Sequence, residues 1–318
     1  MVEMLDTVFY FLLNMSITAS FIGLLLMVLR LNKKISTLGY ALWGLVFARL
    51  VIPFAFSSKI SILNLAKGWV KKVVDIPVSN IVPGVPNGDK MMLSHTNYIG
   101  AAESYYPFIY RNDFSERFFR ITAFVWFIVA ITLLLLVAVL YSITASKLGK
   151  VQYFKDNIFI SDSVRTPMVF GLFKPKIIIP PELKDNPKEL EYVLLHENVH
   201  IKKHDNLLRL IGIITACIHW FNPFVWVFLK LFLDDMELVC DLKAVKHLSM
   251  EERKDYARTL VNLSSENNVF MSAAFGRTNV RTRVLNVINY KSMTVLAIVI
   301  STFFIAAISA ALITNPIK

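Results

Sequence analysis

Apolar positions in this chain come in long unbroken blocks rather than in alternation with polar ones. Four blocks, over about 8–31, 37–56, 119–144 and 293–314, are each long enough to cross a bilayer as a helix, which takes about 20 residues. Only the second carries an interior charge, Arg49, which reads either as snorkelling toward the outer interface or as a polar contact inside a bundle. A fifth apolar stretch, 207–233, is interrupted at His219-Trp220-Phe221-Asn222-Pro223. Proline cannot continue a helix there, so two half-helices should dip toward the membrane and return, with the tip aromatics at the interface. Between the third and fifth blocks the pattern shortens. Runs at 151–154, 158–161, 168–170 and 176–179, broken by Gly171 and Pro175, read as strands. A helix follows them: Asn186 can cap it, Pro187 suits its first position, and Glu189 stands three residues after the cap.

Composition agrees with lipid as a solvent. Of 318 residues, 55% are hydrophobic and 18% charged, where a soluble globular chain has about a quarter charged. The formal net charge of +11 fits cationic loops beside lipid headgroups and calls for no direct nucleic-acid partner. Arg30, Lys33 and Lys34 follow the first block, Lys147 and Lys150 the third, and Arg277, Arg281, Arg283 and Lys291 precede the fourth. The positive-inside rule places these segments in the cytoplasm, with the acidic N-terminus and the loop 57–118 outside. The start, Met1 to Asp6, has no basic n-region, so no cleaved signal peptide is expected. Cys217 and Cys240 form no spacing framework and are expected to be free, buried thiols.

The chemistry concentrates in His196-Glu197-Asn198-Val199-His200. Histidines four apart on a helix project from one face and can grip one metal ion, zinc for this pattern, with Glu197 beside them as general base. Catalytic zinc wants a third protein ligand and an open position. His204 is poorly spaced for that role. Glu237, in Asp235-Met236-Glu237-Leu238-Val239-Cys240-Asp241, is the better candidate, and Asp241 on the same helical face could hydrogen-bond a ligand histidine. A full crossing by 207–233 would put Glu237 on the wrong side of the membrane; a returning hairpin brings it back. His219 then falls far from the metal. An extended substrate could pair with a sheet edge at Met168, Val169 and Phe170, or at 176–179. Tyr256 and His247 are possible oxyanion donors, although a packed tyrosine and a surface histidine are the plainer readings.

At these residues the chain resembles the bacterial antirepressor membrane metallopeptidases, the family of the beta-lactam sensor-transducers. The resemblance rests on the segment from Pro167-Met168-Val169-Phe170-Gly171 to Ile179-Pro180, on His196 to Asp205, on His219-Trp220-Phe221-Asn222-Pro223-Phe224-Val225-Trp226, on Glu237-Leu238-Val239-Cys240-Asp241 and on Phe275-Gly276-Arg277-Thr278-Asn279-Val280. It implies a gluzincin site: His196, His200 and Glu237 as zinc ligands and Glu197 as catalytic base. It also implies a protein substrate, either a cytoplasmic winged-helix repressor or the protease itself, for which the segment 264–282 is a candidate. The family's sensors carry a penicillin-binding domain with a Ser-x-x-Lys nucleophile. No such motif occurs here, so covalent beta-lactam sensing by this chain is not expected.

The resulting expectation is an α-helical integral membrane protein of about four spans plus a membrane-dipping hairpin, carrying an α+β zinc peptidase domain. Its parts are two transmembrane helices in 1–56, an outer loop at 57–118, a third span at 119–144, a cytoplasmic peptidase region at 145–291 with the re-entrant hairpin 207–233, and a fourth span and short tail at 292–318. It would sit in the bacterial cytoplasmic membrane with the active site inside, possible homo-oligomers included. The competing readings are a housekeeping quality-control metalloprotease, for which an isolated gene would speak, and a non-catalytic receptor, which would hold no zinc.

Overall fold

A computed structural model describes residues 2–30, 36–52, 113–148, 151–265 and 280–290, with positions 303 and 307. The loop at 57–112, most of the expected fourth span and the segment 266–279 lie outside the described residues. The helices are α1 (Val2–Arg30), α2 (Ser36–Val51), α3 (Asp113–Lys147), α4 (Pro187–Lys203), α5 (Asp205–Ile218), α6 (Pro223–Ala244), α7 (Met250–Ser265) and α8 (Val280–Ile288). Four strands, β1 (Gln152–Lys155), β2 (Ile158–Ile160), β3 (Met168–Phe170) and β4 (Lys176–Ile179), stand between α3 and α4. The chain divides into two compact units, one of Met1–Thr132, Cys217–Val225 and Val295–Lys318, the other of Leu133–Ala216 and Trp226–Thr294.

Two helices contain stretches long and apolar enough to cross a membrane: Leu5–Val28 of α1, in the first unit, and Arg117–Lys147 of α3, whose residues from Leu133 onward belong to the second. The described part of α2 is 16 residues, about 24 Å at 1.5 Å per residue. Large apolar side chains on α3 are exposed on several faces, among them Phe118, Ile121, Phe124, Val125 and Ile128. A helix apolar all round belongs in lipid or in a large core. Polar residues inside α1 bond their own helix: Asn14 Nδ2 donates to Tyr10 O (2.9 Å) and Thr18 Oγ1 to Asn14 O (3.0 Å), which removes most of the cost of carrying them there.

Arg49 is 3% exposed, so of its two readings the position inside a bundle is the one the structure favours. The tip of the α5–α6 hairpin packs among the helices of the first unit. Trp126 Nε1 donates to Ile218 O (2.8 Å), Trp220 Nε1 to Trp126 O (3.3 Å), and the Phe221 ring meets Phe9 edge-on at 5.8 Å. Asn222 Nδ2 donates to the hydroxyls of Ser16 (2.7 Å) and Ser20 (2.8 Å), while its Oδ1 accepts from Phe224 N (3.0 Å) and caps α6. Helical partners satisfy the tip's donors, so the tip docks on α1 and α3. Pro223 does break the helix as expected, at the first position of α6.

In the second unit the sheet order is β1-β2-β4-β3, with β2 and β4 parallel and the other pairs antiparallel. All four strands were legible from their runs, to within about a residue or two at each end. Alternation assigns the two faces of β4. Ile177 and Ile179 pack with Ile158, Leu183 and Val193 on α4. Ile178 turns the other way and packs with Leu148 and Val164, against which Met168 and Phe170 also lie. β4 is interior and has no open edge, so of the two strands expected to receive a substrate only β3 stands at an edge.

Candidate metal centre

The local sequence sets α4 where the motif can be used. Asn186 Oδ1 accepts from Glu189 N (3.3 Å), and its Nδ2 donates back to Glu189 Oε2 (2.8 Å), the reciprocal cap read from the sequence. The helix ends at His204, whose φ of 54° is left-handed and whose N–H bonds to His200 O and Ile201 O. His204 is a helix terminator with an exposed side chain, not a ligand. Tyr192 and Val193 bury one face of α4, and His196 and His200 lie buried on it one turn apart.

The two imidazoles converge. His196 Nε2 and His200 Nε2 are 3.1 Å apart, and Glu237 on α6 brings Oε2 within 3.4 Å of the first and Oε1 within 3.6 Å of the second. A carboxylate lies beside each opposite nitrogen. His200 Nδ1 lies 2.7 Å from Asp205 Oδ2, and His196 Nδ1 lies 3.1 Å from Asp241 Oδ1. With the His200 Nδ1 proton on Asp205 and the His196 Nδ1 proton on the Tyr256 hydroxyl beside Asp241, both Nε2 lone pairs point at one place, an arrangement that repels unless a cation stands there. Tetrahedral zinc with bonds of about 2.0–2.1 Å separates neighbouring ligand atoms by roughly 3.3–3.4 Å. The observed edges bracket that value, so the donor set fits the ion expected from the sequence.

Charge around the cluster is compensated in layers. Burial would lower the His196 imidazole, but in the metal-free site hydrogen bonds to Asp241 and Glu237 carry it up to about 10. Burial would raise the Asp241 carboxyl, yet Arg283 brings it down to about 2. Arg283 Nε and Nη2 fork onto Asp241 at 2.6 and 2.8 Å, and its Nη1 lies 3.5 Å from Glu237 Oε2. Arg209 Nη2 bonds the other oxygen of Glu237. Burial works against ionising Glu237 as well, and His200, His196 and the two guanidiniums overcome it. Tyr256 donates from its hydroxyl to Asp241 Oδ1 (2.8 Å), 3.0 Å from His196 Nδ1. Behind His200, the Cys240 thiol donates to Asp205 Oδ2 (3.1 Å); burial and the neighbouring Asp205 charge push that thiol up. Both cysteines are free and buried.

The expected residues therefore fall as follows. His196, His200 and Glu237 come together, and Asp241 stands against His196 Nδ1. Glu197 follows His196 on α4 and is half-buried. Met168, Val169 and Phe170 form the edge strand β3, where Asn206 Nδ2 donates to Val169 O (3.0 Å) and Gly171 O (3.1 Å) and occupies part of that edge. Neither possible oxyanion donor suits that role: Tyr256 is buried and committed to Asp241, and His247 is an exposed side chain on the surface. His219 is used elsewhere, its Nε2 at 3.0 Å from Leu50 O. Three participants escaped the sequence reading. Asp205 is five residues past His200, Arg209 sits in an apolar run, and Arg283 had been counted among the cytoplasmic surface charges.

His196, His200 and Glu237 form a candidate metal site, in a chain with two helices long and apolar enough to cross a membrane. The chain belongs to the BlaR1 peptidase M56 family, a metallopeptidase family whose pattern matches residues 10–287. It is similar to the methicillin resistance mecR1 protein of Staphylococcus aureus, and equally to that of Staphylococcus epidermidis, at 35% identity over 155 residues, covering 46% of this chain and 26% of theirs. It is also similar to the regulatory protein BlaR1 of Bacillus licheniformis, at 26% identity over 148 residues, 44% of this chain and 25% of that one. The matches thus span about a quarter of these relatives' length.

Proposed function

We propose that this chain is a zinc metalloendopeptidase of the gluzincin type, embedded in the bacterial cytoplasmic membrane with its active site on the cytoplasmic side. One observation carries the reading: two histidine Nε2 atoms and the Glu237 carboxylate converge within 3.1–3.6 Å while both Nδ1 atoms face carboxylates. His196, His200 and Glu237 would hold the zinc, with Asp241 and Asp205 fixing the imidazole tautomers. Zinc supplies Lewis acidity toward a peptide carbonyl and lowers the pKa of its water toward about 7. Glu197 takes a proton from the attacking water and passes it to the departing amine nitrogen. Residues 168–170 are the strand against which an extended peptide would lie. The relatives' names, methicillin resistance protein and regulatory protein, support a regulatory role, with a cytoplasmic repressor or the chain itself as substrate. Basic residues at the ends of α1 and α3, Arg30 and Lys147, support the orientation.

The test compares cells expressing wild type and Glu197→Gln by proteomics of cytoplasmic proteins, alongside zinc analysis of both purified proteins. Both should hold zinc, and at least one cleavage product should vanish in the variant. Zinc-free protein, or identical proteomes, would overturn the proposal.

A further inference from the structure

The turn joining β3 to β4 presents the most exposed large apolar side chain among the described residues, Phe173, at 91%. The turn is tight. Gly171 has φ +100°, and a Cβ there would lie 2.9 Å from Lys174 O, so the backbone doubles back and holds its tip out. Lys174 beside it is exposed. An isolated exposed aromatic needs no explanation; this one has a position. The sheet face that bears Phe170 packs toward the end of α3, with Ile178, Leu148 and Val164. The Phe170 ring stacks on Tyr141 of α3 at 5.3 Å and 17°.

Tyr141 locates that contact along the span. The apolar stretch Arg117–Lys147 has 31 residues, about 46 Å at 1.5 Å rise, against a hydrocarbon core of about 30 Å. Roughly 8 Å at each end therefore lies among headgroups. Tyr141 is about 9 Å from the Lys147 end, at the boundary where tyrosine rings prefer to sit. Stacked there, β3 lies at interfacial depth, and its turn follows within three residues.

We propose that the β3–β4 turn is a membrane-interface anchor: Phe173 enters the headgroup region of an anionic leaflet, and Lys174 pairs with lipid phosphate. The chemistry is that of an aromatic wedge beside a cation, attracted to a surface opposite in sign to a chain of net charge +11. The anchor would keep edge strand β3 level with the bilayer surface. This inference rests on the proposed membrane embedding.

The experiment uses the full chain with an environment-sensitive fluorophore on Phe173→Cys, reconstituted into phosphatidylglycerol-rich vesicles. The native cysteines are buried, and an exposed side chain can be replaced without loss of fold, which an unchanged melting curve verifies. The same label on Phe127→Cys, within α3, and on Glu251→Cys, on the exposed start of α7, gives the two references. Nitroxides near the lipid headgroup should quench the Phe173 label several-fold more than the Glu251 label, and aqueous iodide should quench it several-fold less. Adding Lys174→Glu should weaken that protection in anionic vesicles and leave it unchanged in zwitterionic ones. A Phe173 label that behaves like the Glu251 label, or is shielded only when a peptide substrate is added, overturns the anchor. A Phe127 label untouched by acyl-chain nitroxides overturns the membrane reading itself.

Discussion

His200 and Asp205 are only five residues apart, yet their 2.7 Å contact depends on a single unusual dihedral. Had α4 continued, Asp205 would have rotated off the metal face. The left-handed turn at His204 ends the helix and swings Asp205 back under His200. On the other histidine the equivalent carboxylate, Asp241, comes from α6 and is held by Arg283. Carboxylates behind metal-binding histidines typically set affinity by 10–100-fold. Asp205→Asn and Asp241→Asn should therefore each weaken zinc binding by about that factor, read by competition with a chromophoric chelator. His196→Ala should lose binding altogether. Arg283 predicts a different signature. Its fork onto Asp241 is largely buried, and removing one partner of a buried pair costs about 3–5 kcal/mol. Arg283→Ala should thus lower thermal stability as well as zinc affinity. Arg283→Lys should recover only part of either, because an ammonium cannot reproduce the two parallel bonds.

Elements were legible wherever their cause was local. The strands follow from short β-rich runs between Gly171, Pro175 and their neighbours, and α4 from a cap, a proline and a glutamate within four positions. What escaped was partnership. Arg283 looked like a topogenic surface charge because nothing in the neighbourhood of Val280–Ile288 reveals a carboxylate forty-two positions earlier. The aromatic hairpin tip looked interfacial because a tryptophan N–H can be satisfied by headgroups or by a helix carbonyl, and the sequence cannot choose between them. Here helix carbonyls satisfy it, and Asn222 joins with two serine hydroxyls on α1. Asn222→Ala should cost about 1–3 kcal/mol by leaving buried groups without that amide, or less where the unfolded segment finds other partners in lipid. Unfolding of the purified protein in detergent would read it. At β4, Ile177→Ala removes a side chain at the centre of the sheet–α4 core and should cost about 2–5 kcal/mol.

At the scale of the whole molecule, the three proposed ligands all belong to one of the two compact units, that of Leu133–Ala216 and Trp226–Thr294. An ion that binds only the folded site stabilises what it is bound to, by about 4 kcal/mol at a thousand times its dissociation constant. Without it, two facing Nε2 atoms and a cluster of buried carboxylates must be balanced by protons and by Lys203, Arg209 and Arg283. Chelation should therefore lower the melting temperature of the protein by several degrees, and added zinc should restore it. Glu197→Gln is the informative control, because Glu197 is assigned to proton transfer and not to binding. Its chelator response should match wild type while its peptidase activity is lost. A wild-type protein whose melting ignores chelator and zinc, or a Glu197→Gln protein that no longer responds to zinc, would mean that the ligand set has been drawn from the wrong residues.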